Sequence, residues 1–146
     1  VVSDPGLRKF LESFEEGSRR LMNGDPVHWM ENLSRGDDVM IMGGWGAYEK
    51  GWPEVKARYE WASARFLDSG ATLSAQYLTC IQSGDLAVTT AIERSEVKVV
   101  GQEKAAPMAL RVTHVFRKED GAWKLVLRHA DPLVDKASPA SVIEKR

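Results

Sequence analysis

Histidine and cysteine are scarce in this chain, with three of the first and a single Cys80 of the second. One cysteine cannot close an internal disulfide, a pattern that suits a reducing compartment. His28, His114 and His129 stand far apart and have no second cysteine beside them, so metal-ligand spacing is missing and no metal or other cofactor is expected. An excess of charge is missing too. Lys and Arg number 20 against 21 for Asp and Glu, which leaves no electrostatic footprint for nucleic acid. No apolar run approaches the roughly 18 residues that would cross a bilayer, so no membrane partner is expected. The opening "VVSDPGLRKF" lacks the charged-then-apolar pattern of a secretory signal, and a cytoplasmic location is expected. Because the chain opens on Val1 and not on Met, we expect its natural N-terminus to be trimmed or to lie upstream. There is no internal repeat, no G-x-S-x-G elbow and no phosphate-binding glycine loop.

What is present is an ordinary globular composition, 43% hydrophobic and 28% charged, in a length of 146 residues that suits one domain. Leu7, Phe10, Leu11, Phe14, Leu21 and Met22 recur at helical spacing behind Asp4-Pro5, which predicts a capped first helix from about Pro5 to Met22. Asn23-Gly24 stops it. Asp25-Pro26 starts a shorter helix carrying Val27, Met30 and Leu33. "VMIM" then reads as a brief strand and "GGWGAYEKGW" as a glycine-rich aromatic loop. Pro53 opens a third helix with Val55, Tyr59, Ala62 and Phe66 in one stripe. From Ala71 the period changes to that of strands, and four long strands with short connections form an antiparallel meander. Helices first, one early strand and a run of strands after it give the α+β class, with helices packed on one face of a curved sheet. We expect residues 1–132 to form the domain and residues 133–146 a loosely held tail or a partner contact.

Candidate functional residues follow from strand alternation. In "LRVTHVFRKEDGAWKLVLRHADP", Leu110, Val112, His114 and Phe116 share one face of the penultimate strand. Arg111, Thr113, Val115 and Arg117 share the other. Uninterrupted alternation sets Trp123, Leu125, Leu127 and His129 against Lys124, Val126 and Arg128 on the last strand. Each of these two histidines therefore sits among apolar neighbours, either as a satisfied core residue or as a proton-transfer group facing a cavity. Asp131 shares His129's side. On the preceding strand Glu93 alternates with Ala91 and Ser95. If it points inward it needs a partner, for which Arg111 is one choice; the alternative is an outer-face ladder of Glu93, Arg94, Arg111 and Arg128. Trp45, Tyr48 and Trp52 line the glycine-rich loop, either as walls of a small-molecule site or as caps on an open end of the core.

The order of elements, together with "GDPVHWMENLSRGDDVMIMGGWGAYEKGW", "WPEVKARYEWASARF" and the final hairpin, resembles the nuclear transport factor 2-like superfamily. Within it, the chain resembles the SnoaL-like and ketosteroid-isomerase-homologue branch over Leu7 to Pro132. The resemblance implies a cone-shaped fold, a pocket at the open end of the cone and a homodimer through the sheet. In steroid isomerases a carboxylate base follows the first strand and a protonated carboxyl stands in the penultimate strand. The matching places here are near Gly43 and Thr113, which cannot do that chemistry. The last strands also resemble the association domain of calcium/calmodulin-dependent kinase, where the cone is an oligomerisation scaffold.

The expectation carried forward is a protein that binds a small apolar molecule, with or without cofactor-independent isomerase, cyclase or hydratase chemistry on it. In it His129, assisted by Asp131 or Glu93, is the acid/base, and His114 positions a polar group of the ligand. Trp45, Tyr48, Trp52 and Tyr59 form apolar walls, and Arg111 contributes to binding. The rival expectation is a non-catalytic dimerisation module.

Overall fold

The computed structural model describes residues 1–145. Helix α1 (Pro5–Leu21) starts where the Asp4 carboxylate accepts the Leu7 N–H at 2.9 Å, with Pro5 in the first turn where no N–H is needed. Its buried face is Leu7, Leu11, Phe14, Gly17, Ser18 and Leu21. The short helix α2 (Val27–Glu31) crosses it closely at Gly17, where a Cβ would come within 3.1 Å of the Trp29 backbone. Strands β1 (Met40–Met42) and β2 (Glu49–Lys50) bracket the glycine-rich loop, and helix α3 (Trp52–Ser63) follows with Val55, Tyr59 and Ala62 turned inward. Strands β3 (Thr72–Ser83), β4 (Leu86–Val97), β5 (Ala106–Glu119) and β6 (Ala122–Pro132) complete the chain's regular structure. The β5–β6 hairpin turns on Asp120 and Gly121, with φ of 52° and 81°, the two left-handed positions that a tight two-residue loop requires.

The fold is α+β. Six strands form one open, curved sheet in the order β2-β1-β6-β5-β4-β3. The meander is antiparallel as expected, but β1 runs parallel to β6, so the whole sheet is mixed. The helices cover one face. Leu7, Phe14, Trp29, Val55, Phe116 and Leu125 meet there in the main core, and Met22, Phe66, Ala71 and Val97 form a smaller cluster near the end of α3. Fully burying one such side chain stabilises the fold by about 1.5–3 kcal/mol. Beyond Pro132 the chain leaves the sheet, and residues 133–145 are exposed around a short 3-10 turn at Pro139–Val142. No helix among the described residues is long and apolar enough to cross a membrane.

Two irregularities decide which side chains face the helices. In β6 the register passes from Phe116↔Leu125 to Val115↔Leu127, leaving Val126 as an extra residue. In β3, Leu78 is extra in the same way between Tyr77 and Thr79. A bulge of one residue reverses the alternation beyond it. Trp123 and Leu125 therefore point inward before the bulge, and Arg128 and Ala130 after it, while His129 turns out.

Candidate functional site

A cavity of about 390 Å³ opens between α3, the end of α1, the glycine-rich loop and strands β4 to β6. Its walls are apolar, with Met22, Ile41, Phe66, Met108, Leu110 and Trp45 among them. Trp45 is carried by the loop between β1 and β2, where Gly46 has φ 95° and Gly44 lets the chain approach Leu110 closely. Its indole stacks on Phe66 at 5.6 Å and meets Trp61 edge-on at 5.6 Å. The guanidinium groups of Arg58 and Arg65 in turn lie over the Trp61 ring at 4.1 and 4.2 Å, a cation–π arrangement. Glu49 pairs with Arg58 at 3.6 Å on the rim.

The floor is polar. Glu93 and Arg128 form a bidentate ion pair with both N–O distances at 3.0 Å, and their side chains are only 11% and 13% exposed. Burial alone would raise the Glu93 pKa, but the charge and hydrogen bonds of Arg128 outweigh it and hold the carboxyl below its usual range. Arg128 Nη1 also lies 2.9 Å from His114 Nε2. Burial, and then the adjacent cation, drive the His114 pKa down to about 3, so the ring is neutral and Nε2 accepts the Arg128 hydrogen bond. Phe14 packs edge-on against that ring at 5.0 Å. Tyr59 completes the floor, its pKa raised to about 12 chiefly by burial, which keeps the phenol protonated. The neighbouring Trp29 indole N–H is buried without a hydrogen bond of adequate geometry, although it is near enough to the phenol to offset part of that rise.

The residues selected from the sequence separate into three places. Glu93, Tyr59 and Trp45 line the cavity together, and His114 does not line it but stands against Arg128, which does. His129, Asp131 and Arg111 are on the opposite face of the sheet, where Asp131 lies 3.3 Å from His129 and 3.9 Å from Arg111, and all three are about half exposed. The expected His129 acid/base is thus separated from Glu93 by the sheet itself, because the Val126 bulge turns its side chain away. Arg111 is not the partner of Glu93; Arg128 is. Tyr48 is exposed and Trp52 packs against the core under Arg35, so neither lines the cavity. Arg128, Trp29 and the Glu49–Arg58 pair were not selected. A buried Glu93 demands a cation, and that demand is the signal that could have found Arg128, but uninterrupted alternation put that arginine outside and left Arg111 as the choice. Gly43 lines the cavity with open space where a Cβ would sit, and Thr113 faces out, so neither steroid-isomerase position carries a cavity carboxyl.

Residues 19–134 match the family model described as the SnoaL-like domain. The chain belongs to the SnoaL-like family. No curated protein matches it. Among solved structures, this SnoaL-like chain is similar to a ketosteroid isomerase-like protein from Erwinia carotovora atroseptica, with 14% identity, 88% of this chain and 95% of that one covered, and a TM-score of 0.73. It is similar to a protein of the nuclear transport factor 2-like family from Streptomyces avermitilis, provisionally assigned as a dehydratase, with 20% identity, coverage of 88% and 94%, and a TM-score of 0.71. A provisionally assigned calcium/calmodulin-dependent protein kinase type II association domain from Thiobacillus denitrificans shares 23% identity over 92% of this chain and all of that one, with a TM-score of 0.69. These likenesses establish the cone fold. The neighbours' differing names show how many uses one cone can have.

Proposed function

We propose that this SnoaL-like protein binds one small, mostly apolar molecule in its cone, as a binding protein and not as an acid/base catalyst. The observation that carries this is the 390 Å³ cavity itself, apolar along its walls and polar at the floor, where Glu93, Arg128 and Tyr59 meet, and at the Glu49–Arg58 pair on its rim. Its volume and character fall in the range of small-molecule sites. Catalysis by proton transfer at neutral pH favours a group whose pKa lies near 7. The two floor groups best placed to move a proton are driven the other way, Glu93 down by Arg128 and Tyr59 up to about 12 by burial. His114, at about 3, does not line the cavity. An isomerase, cyclase or hydratase step would therefore have to work against these shifts.

The test is a thermal melt with 2-acetylnaphthalene, checked by tryptophan quenching. At a hundredfold excess over its dissociation constant a ligand stabilises the native state by about 2.7 kcal/mol, which a melt resolves. Trp45→Ala should weaken the probe severalfold, and His129→Asn should leave its affinity within about twofold. No shift with any naphthalene derivative at saturation would sink the pocket reading.

A second reading concerns the outer face of the sheet, where Leu78, Ile81 and Leu86 are 52%, 67% and 49% exposed. Apolar side chains clustered on an uncovered sheet face support a homodimer through that face. Sedimentation equilibrium tests it, with Ile81→Lys expected to shift a dimer to monomer. A reducing, cytoplasmic setting remains consistent with the free thiol of Cys80.

A further inference from the structure

A guanidinium group has five N–H donors in a rigid planar fork. Three of those of Arg128 are occupied: one Nη1 and one Nη2 hydrogen by the two Glu93 oxygens, and the other Nη1 hydrogen by His114 Nε2. Among the described residues, nothing accepts from Nε or from the remaining Nη2 hydrogen. Those two hydrogens lie parallel along one side of the fork and make a second bidentate edge. Arg128 lines the cavity, whereas His114 against it does not, so the unoccupied edge is the part of the group left for a ligand. The protonated Tyr59 hydroxyl lines the same floor and supplies a further donor.

The charges decide what this edge accepts. Four charged residues line the cavity, and they form two neutralised pairs, Glu93 with Arg128 and Glu49 with Arg58. A carboxylate on the free edge would bring a second anion beside Glu93 and leave one negative charge without compensation in a poorly hydrated site, which is costly. An uncharged carbonyl oxygen would satisfy the same donors and keep the floor neutral. We propose that Glu93 is the specificity-determining residue of the cavity: it reserves the free Nε/Nη2 edge of Arg128 for uncharged oxygen acceptors and turns carboxylates away. This rests on the pocket reading above and adds the chemical class of the ligand to it.

Three probes on one skeleton test it by calorimetry on the full chain: 2-acetylnaphthalene, 2-naphthoate and 2-ethylnaphthalene. The ketone should bind about tenfold more tightly than the hydrocarbon, the factor expected for one hydrogen bond to a charged donor. It should also bind at least about tenfold more tightly than the carboxylate. Glu93→Gln leaves the Arg128 charge uncompensated at nearly unchanged shape, so the order of ketone and carboxylate should reverse. Arg128→Lys, which keeps the charge but lacks the planar edge, should erase the ketone's advantage over the hydrocarbon. If the two substituted proteins do not fold, the wild-type order alone still decides. A carboxylate that binds the wild type as tightly as the ketone, or a ketone no better than the hydrocarbon, overturns the role of Glu93 while leaving the pocket intact. Failure of all three probes overturns the pocket and this inference together.

Discussion

A neutral histidine locked against an arginine makes the stability of this protein depend on pH in a window that carboxylates with lowered pKa values do not share. In the folded chain the His114 pKa is about 3, lowered first by burial and then by Arg128, with Glu93 opposing. In the unfolded chain it returns to about 6.5. The depressed folded value means that the unfolded state binds the extra proton first. The stability is therefore fully present above pH 6.5 and is lost progressively as the pH falls toward 3. Each pH unit below the unfolded pKa costs about 1.4 kcal/mol, so His114 should remove about 2 kcal/mol of stability between pH 7 and pH 5. Carboxylates with lowered folded values contribute mainly below about pH 4.5, outside this interval. Urea unfolding of the wild type and of His114→Gln at the two pH values isolates the effect, because Gln keeps an acceptor for Arg128 and cannot titrate. The wild type should lose about 2 kcal/mol more than the variant on going to pH 5. Equal losses, or a folded-state His114 resonance that titrates near pH 6, would refute the reasoning.

Other outcomes follow from the same geometry. Arg128→Leu strands the Glu93 carboxylate and should cost about 3–5 kcal/mol, whereas the double change Glu93→Leu with Arg128→Leu should recover much of that loss. Additive losses in a denaturant-melt double-mutant cycle would show that the pair is not coupled. Asp4→Ala removes the carboxylate that accepts the Leu7 N–H and should cost about 1 kcal/mol in urea unfolding, with Asp4→Asn costing less.

Much of this molecule was legible because the signals are local. Asp4-Pro5 announces α1 through an N-cap and a residue that lacks the N–H a first turn leaves free, and the structure starts that helix at Pro5. Asp120-Gly121 announces the β5–β6 turn because both positions need positive φ. The grouping of Val112, His114 and Phe116 on one face of β5 came from alternation and holds because β5 has no extra residue over that stretch, and the structure makes that face the buried one. The site was less legible. Tyr59, Glu93 and Trp45 were selected on residue type and lie together in the cavity. His129 and Asp131 were selected by the same logic and lie on the other side of the sheet.

The difference between those two outcomes is one residue. Residue types, caps, turns and hydrophobic period by themselves determined the order of the helices and of every strand but β2, the α+β class and the need of an inward Glu93 for a cation. Only the tertiary structure decided which cation it met. "WKLVLRHA" contains no glycine or proline to mark a bulge, so nothing local distinguishes a strand in which Val126 is paired from one in which it is passed over. Pairing with β5 on one side and β1 on the other makes that choice, through backbone hydrogen bonds to residues distant in sequence. Strand alternation has a period of two, and a single unpaired residue was enough to exchange the places of His129 and Arg128.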